Sequence, residues 1–170
     1  MKVAIFCDSS TGNTGKLAKC IYDECKFLDV SLYKEFKDDM LEADLIFVGS
    51  YTRDMEPSEK TKSVLKKITG KKLFLFGTCS FDSGDKYYNK ILKNFASYIP
   101  ASNEVVDYFY CLGKMPYTNR LIFEAKLRKN PRDKDMAKRI ANFDNCLKHP
   151  NFEDLIDLQI KVKMVLNDYS

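Results

Sequence analysis

Short apolar runs alternate with amphipathic stretches along most of the chain. Val3 to Cys7, Leu45 to Val48 and Leu73 to Phe76 are nearly continuous in apolar residues, the pattern of parallel strands buried on both faces. Asp29 to Tyr33 is a weaker run, read as a strand nearer an edge, and Val105 to Cys111 is another. Helical spacing fills the intervals. Leu17, Cys20, Ile21, Cys25 and Leu28 share one face, with Lys16, Lys19, Asp23 and Lys26 turned outward. Thr61, Val64, Leu65 and Ile68 mark a second helix, which Gly70 ends. Tyr88, Ile91, Leu92, Phe95 and Ile99 mark a third, stopped by Pro100. Asp38 to Ala43 has room only for a short helix or turn.

Strands and helices thus alternate five times, the order of a doubly wound α/β domain with a parallel sheet. One helix after the fifth strand would complete such a fold. The pattern instead predicts three, at Asn119–Lys129, Asp133–Leu147 and Phe152–Asn167. The expected organisation is a single domain over 1–170, with its core in 1–130 and additional C-terminal helices in 131–170. Met136, Ile140, Phe143 and Leu147 form one apolar stripe of this tail; Phe152, Leu155, Ile156, Val162 and Leu166 form another.

Composition narrows the class. With 45% hydrophobic residues in 170, the chain can bury a sizeable core. No apolar run is long enough to span a bilayer. The first residues read as a buried strand, without the apolar stretch and small-residue cleavage site of a signal peptide. The expected location is cytoplasmic, with neither membrane nor nucleic acid as partner, since a net charge of +4 is mild. Six cysteines without a C-x-x-C pair, beside a single histidine, argue against structural zinc and for free, mostly buried thiols.

The strongest local signal follows the first strand, at Ser9-Ser10-Thr11-Gly12-Asn13-Thr14. Hydroxyls and a glycine sit where a strand gives way to a helix. A helix N-terminus offers unpaired N–H groups and a partial positive charge, so such a loop can hold a phosphate without a basic residue. A plain Ser/Thr-rich capping loop is the simpler alternative. Other phosphate loops fail on inspection. A P-loop ending at Gly15-Lys16 needs glycine where Ser10 stands and Ser or Thr where Leu17 stands. A dinucleotide fingerprint needs more glycines. The C-x5-R phosphatase pattern starting at Cys7 needs arginine at Asn13.

The segment resembles the flavodoxin fingerprint T/S-x-T-G-x-T at every specified position, and the likeness extends in element order over residues 1 to 112. The resemblance implies a flavodoxin-like sheet of strand order 2-1-3-4-5 and FMN as cofactor. Ser9, Thr11 and Thr14 would then supply hydroxyls to its phosphate, Asn13 an amide, and the backbone from Ser10 through Gly12 to Thr14 its N–H groups. Two further loops leave the same end of the sheet, Gly49-Ser50-Tyr51-Thr52-Arg53-Asp54 and Gly77-Thr78-Cys79-Ser80-Phe81-Asp82-Ser83-Gly84. In flavodoxins the equivalent loops sandwich the flavin ring. By that likeness Tyr51 and Phe81 are candidate stacking residues. Backbone groups at Ser50, Tyr51, Thr52 and Arg53, and at Thr78, Cys79, Ser80 and Phe81, are candidates for the ring's polar edge. Arg53 would place a cation near the flavin and Cys79 a thiol. Ordinary loop aromatics and a solvated arginine are the plainer readings of the same residues.

The chain departs from the family in having no Trp and a basic balance. Arg120, Lys126, Arg128, Lys129, Arg132, Lys134, Lys138 and Arg139 outnumber Glu124, Asp133 and Asp135. Cys111-Leu112-Gly113-Lys114, and His149-Pro150-Asn151-Phe152-Glu153-Asp154-Leu155, look like a subgroup of anaerobic bacterial flavodoxin-like proteins, some associated with bilirubin reductases. The resemblance implies an electron carrier with a reductase as donor, and an acceptor enzyme such as a bilirubin reductase. An FMN-dependent reductase of a small quinone-like acceptor and a cofactor-free binding module are the alternatives. No acid/base or nucleophile constellation is visible, so no catalytic residue is assigned.

Overall fold

The computed structural model describes residues 1–81 and 84–169. Its strands are β1 (Lys2–Asp8), β2 (Asp29–Tyr33), β3 (Leu45–Arg53), β4 (Glu56–Pro57), β5 (Lys72–Cys79) and β6 (Glu104–Leu112). Its α-helices are α1 (Asn13–Cys25), α2 (Glu59–Leu65), α3 (Asp85–Ala96), α4 (Tyr117–Lys129), α5 (Lys134–Cys146) and α6 (Phe152–Asp168). Asp38–Glu42 forms the short turn of 3-10 helix that the sequence left room for.

The five long strands are parallel in the order β2-β1-β3-β5-β6. With the two-residue β4 left uncounted, this is the predicted 2-1-3-4-5. β4 adds an antiparallel return on β3, pairing Thr52 with Pro57 and Arg53 with Glu56. The return turns at Asp54 and Met55, both at positive φ, the geometry that matches a tight hairpin to the twist of its strands.

Two apolar layers sandwich the sheet. On one face α1 and α6 bury Leu17, Ile21, Leu158 and Val162 against Ile5, Phe47, Phe74 and Phe76. On the other, α2 and α3 bury Val64, Leu65, Ile91 and Phe95 against Phe6, Ile46, Val48 and Leu75. Burial of each such side chain contributes about 1.5–3 kcal/mol. The six cysteines form no disulfide among the described residues, and five of them are buried. Burial pushes Cys25 up to about 12 and Cys146 up to about 11, so these sulfurs stay protonated and unreactive at neutral pH.

The tail is arranged differently from the sequence reading. The helix that closes the sheet is α6, not the one directly after the last strand. α4 and α5 form an inserted helical hairpin, and α4 buries none of its residues. In α6 the buried positions are Leu158, Val162 and Val165, while Phe152 is 76% exposed. Of the expected stripe, Val162 is buried and Leu155 and Leu166 pack against the same core, while Phe152 faces solvent and Leu158 and Val165 take the remaining buried places. In α5, Phe143 and Cys146 are buried while Leu147 is exposed. α6 starts with a capping box between Asn151 and Asp154, as its Asn and acidic first turn predict. His149 Nδ1 lies 2.7 Å from the same Asp154 carboxylate.

Candidate functional site

The carboxyl ends of β1, β3, β5 and β6 converge on one cavity of about 630 Å³. This is the end where open α/β sheets bind ligands. The loop after β1 forms its floor. Gly12 sits at φ +84 as the N-cap of α1, a left-handed conformation that a β-branched residue adopts only with strain. The N–H groups at the start of α1 donate little to the protein. Gly15 N–H donates to Ser9 Oγ at 3.1 Å and Lys16 N–H to the Gly12 carbonyl at 3.1 Å. The N–H groups of residues 10 to 14 find no acceptor among the described residues. Five consecutive unpaired donors around a helix N-terminus form an anion cradle.

The side chains of this loop divide into two groups. Ser10, Thr11 and Asn13 line the cavity. Asn13 Nδ2 donates to Thr11 Oγ1 at 2.8 Å and to the Lys114 carbonyl at 2.9 Å, tying the loop to the exit of β6. The approach is close enough that a Cβ on Gly113 would stand 3.0 Å from Asn13 Nδ2 and from Thr78 Cβ. Ser9 and Thr14 are turned into the fold instead. The Ser9 hydroxyl caps Gly15, and the fully buried Thr14 hydroxyl shares a 3.0 Å hydrogen bond with Thr78 Oγ1.

The two expected ring loops are in large part strand. Ser50 and Tyr51 continue β3 and pair with Gly77 and Thr78 of β5. The glycines there make room within the sheet: a Cβ on Gly49 would strike the Phe76 ring at 2.2 Å, and one on Gly77 the Ser50 carbonyl at 2.3 Å. Tyr51, Thr52, Arg53, Thr78, Ser80 and Phe81 line the cavity. Thr52 Oγ1 donates to the Thr78 carbonyl at 3.1 Å, which locks the two strand ends together. The Ser50 hydroxyl is internal, donating to the Tyr51 carbonyl and accepting from Ser58 N–H. The Cys79 side chain points into the core on the α2–α3 face, its thiol directed at the Cys111 carbonyl. The Cys79 thiol therefore does not line the cavity. Phe81 is 58% exposed, 6.2 Å from the Tyr87 ring. Asp82 and Ser83 lie outside the described residues.

The fourth wall comes from residues that the motif reading did not assign to the site. Lys114, Met115, Asn119 and Phe123 approach from the β6 exit and α4, and Lys138, Arg139 and Asn142 from α5. Among the described residues, two hydrogen bonds fasten the hairpin to one carbonyl at the β5 exit. The Ser80 carbonyl accepts from Asn142 Nδ2 at 2.7 Å and from Cys146 Sγ at 3.5 Å. The Ser80 hydroxyl in turn donates to the Gly113 carbonyl at 2.7 Å. Arg139 lays its guanidinium 5.3 Å over the Phe81 ring, within cation–π range. Lys114 was the most accessible of these to sequence reasoning, because it follows the last strand at its carboxyl end.

A doubly wound sheet in this order, with an anion cradle after its first strand, defines the flavodoxin class of α/β proteins. The chain belongs to the flavodoxin-domain family, whose family model matches residues 4–163. It is 27% identical to the flavodoxin-like domain-containing protein BilS of Clostridioides difficile (strain CD3), over 98% of this chain and 97% of that protein. Among solved structures it is similar to oxidised Flavodoxin 2 from Bacillus cereus, with TM-score 0.53, 23% identity, and 86% of this chain and 97% of that one covered. It is also similar to a flavoprotein from Lactobacillus acidophilus NCFM in complex with FMN, with TM-score 0.51, 20% identity, and 64% and 92% covered. These two likenesses bear on the fold. Among the described residues no helix is long and apolar enough to cross a membrane, and no acidic, histidine and cysteine cluster is placed to hold a metal.

Proposed function

We propose that this protein binds FMN at the cavity and carries electrons from a reductase to an acceptor enzyme. The observation that carries the reading is the row of N–H groups at residues 10 to 14, without acceptors among the described residues and curled by Gly12 at the cavity floor. A terminal phosphate fits that cradle chemically. Its oxygens accept N–H donors, and the helix N-terminus favours their charge. The hydroxyls of Ser10 and Thr11 add donors at the same end. Ser9 and Thr14 then act indirectly, by holding the first turn of α1 and the end of β5. The ring would lie across the ends of β3 and β5, where Tyr51 and Phe81 are the aromatic candidates. The backbone of Tyr51 to Arg53 and of Ser80 to Phe81 would meet its polar edge. Bound FMN supplies the capacity to take up and release electrons. The chain's own part is to orient it and to place Arg53 within the same cavity.

The family resemblance names a bilirubin reductase as one acceptor. A relative similar over nearly the whole chain is itself a flavodoxin-like domain-containing protein, which supports the carrier reading at the level of the family. A reductase acting on a small acceptor is the second reading, and one observation favours it: the α4–α5 hairpin encloses space beside the ring seat.

Titration of flavin-free protein with FMN, riboflavin and FAD tests the cofactor. FMN should bind at least about 100-fold tighter than riboflavin, since only FMN brings the charge that several charge-assisted hydrogen bonds meet. Equal affinity for the two would mean that the cradle does not grip phosphate.

A further inference from the structure

Resting on the reading that FMN occupies the cradle, we infer that Lys138 and Arg139 of the inserted hairpin form a subsite beside the ring for a small, planar, conjugated anion. Four cations line this one cavity, Arg53, Lys114, Lys138 and Arg139, against a single carboxylate, Asp54, among the described residues. None of the four pairs with a carboxylate among the described residues. Some cations elsewhere are neutralised by carboxylates. Arg120, on the same hairpin, is held by Glu124 and Asp144, Lys161 by Asp107 and Lys60 by Asp8. Charge within the cavity is thus one-sided, four cations facing one carboxylate among the described residues.

The cations also sort by position. The Lys114 backbone is bonded to Asn13, so this residue belongs to the phosphate end. Arg53 rides on the β3–β4 return. Lys138 and Arg139 alone come from the hairpin, on the wall opposite the sheet. A phosphate satisfied by five N–H groups, two hydroxyls and a neighbouring lysine leaves the hairpin pair uncommitted.

The shape and lining choose a small molecule over a protein carboxylate. The pair faces a cavity, not a flat patch. Arg139 lies over the Phe81 ring, with Tyr87 beside it and Phe123 on α4 completing the wall. Aromatic rings interleaved with cations suit a flat π-system bearing carboxylate or sulfonate groups. The fastening of α5 at the Ser80 carbonyl positions both cations relative to the ring seat.

The test uses FMN-loaded protein and two probes with the same ring system, anthraquinone-2-sulfonate and uncharged 2-(hydroxymethyl)anthraquinone. Binding is read from perturbation of the oxidised flavin's visible spectrum, without turnover. The sulfonate should bind about tenfold or more tightly than the neutral probe, and added salt should erode the difference. The double substitution Lys138→Gln and Arg139→Gln should abolish the preference and leave FMN affinity unchanged, which also reports that the fold is intact. The pair Arg132→Gln and Lys134→Gln, further along the hairpin, should leave the preference in place. Equal binding of the probes to the wild type, or a preference that survives in the Lys138/Arg139 variant, overturns the inference while the FMN reading stands. Loss of FMN together with the preference in that variant assigns the two cations to the cofactor and also overturns it. A wild-type protein that takes up no FMN removes both readings at once.

Discussion

The floor and the roof of the cavity are built on opposite plans. The floor is local. Gly12 sets the curl, Ser9 caps Gly15 six residues on, and the donors come from one continuous segment, residues 10 to 14. The roof is remote. α4 and α5 bury only Phe143 and Cys146, and their polar fastening converges on the Ser80 carbonyl, more than 60 residues away in the chain. A site assembled this way separates two properties. Grip on a phosphate depends on backbone conformation over a few residues, whereas what else fits beside the ring depends on how a loosely held hairpin is seated. The first property should fail sharply under substitution and the second gradually.

The largest effect is expected at Gly12. Its φ of +84 is costly for any β-branched residue, by about 1–3 kcal/mol. Nothing lies within 4 Å of a Cβ placed there, so the damage is conformational rather than a clash within the protein. Gly12→Val should relax the loop, scatter the aligned N–H groups, and lower FMN affinity by about 100-fold or more. Thermal unfolding should register only the strain. An FMN titration showing near-normal affinity would break the claim that local backbone geometry makes the floor.

The same contrast explains what the sequence disclosed. The cradle is legible because a strand, a run of hydroxyls and a glycine are contiguous, and their spacing alone implies the geometry. The sheet order followed from the same motif, since apolar runs alone do not order strands. The roof left no such trace. α4 and α6 both mix apolar and charged positions, and nothing in their spacing says that α6 rather than α4 closes the sheet over Phe47 and Phe74. The attachment of α5 to a backbone carbonyl at Ser80 has no residue-type signature at all. On α3 the adjacent Tyr87 and Tyr88 part company: Tyr88 stacks on Tyr110 in the core, and Tyr87 faces the cavity. Apolar periodicity finds the first and is blind to the second. Thr14 is the reverse case, a motif residue whose hydroxyl the fold spends on Thr78.

An intermediate effect is expected on unfastening the roof. Asn142→Ala removes the 2.7 Å bond to the Ser80 carbonyl and should cost about 0.5–1.5 kcal/mol. Because Cys146 still reaches the same oxygen at 3.5 Å, the hairpin should loosen without leaving. Hydrogen exchange should quicken in α4 and α5, with amides in α1 unchanged and FMN affinity within about twofold of wild type. Equal loosening of α1 would join floor and roof into one cooperative unit and erase the distinction between them.

The smallest effect concerns the outer surface of the hairpin rather than its cavity side. Arg132 and Lys134 are exposed at its tip and pair with no carboxylate among the described residues. In the electron-carrier reading they would meet an acidic face on a redox partner. Two features keep the expected contribution modest. Asp133 and Asp135 stand between and beside them, so the four-residue segment carries no net charge. The Asp133 carboxylate is moreover committed to capping α5, accepting from the N–H groups of Asp135 and Met136, and cannot turn away. Reversal of both cations, Arg132→Glu with Lys134→Glu, converts this neutral segment into one of charge about −4, which should repel an acidic partner at long range. Stopped-flow reduction of the FMN-loaded variant by its donor reductase should slow about two- to fivefold at low ionic strength. The difference should vanish by about 0.5 M salt, where screening confines charge effects to a few ångströms. Association rates that ignore both the reversal and the salt would leave the hairpin tip as solvated surface. Lys138 and Arg139, on the cavity side, would then be the pair through which the hairpin's basic character acts.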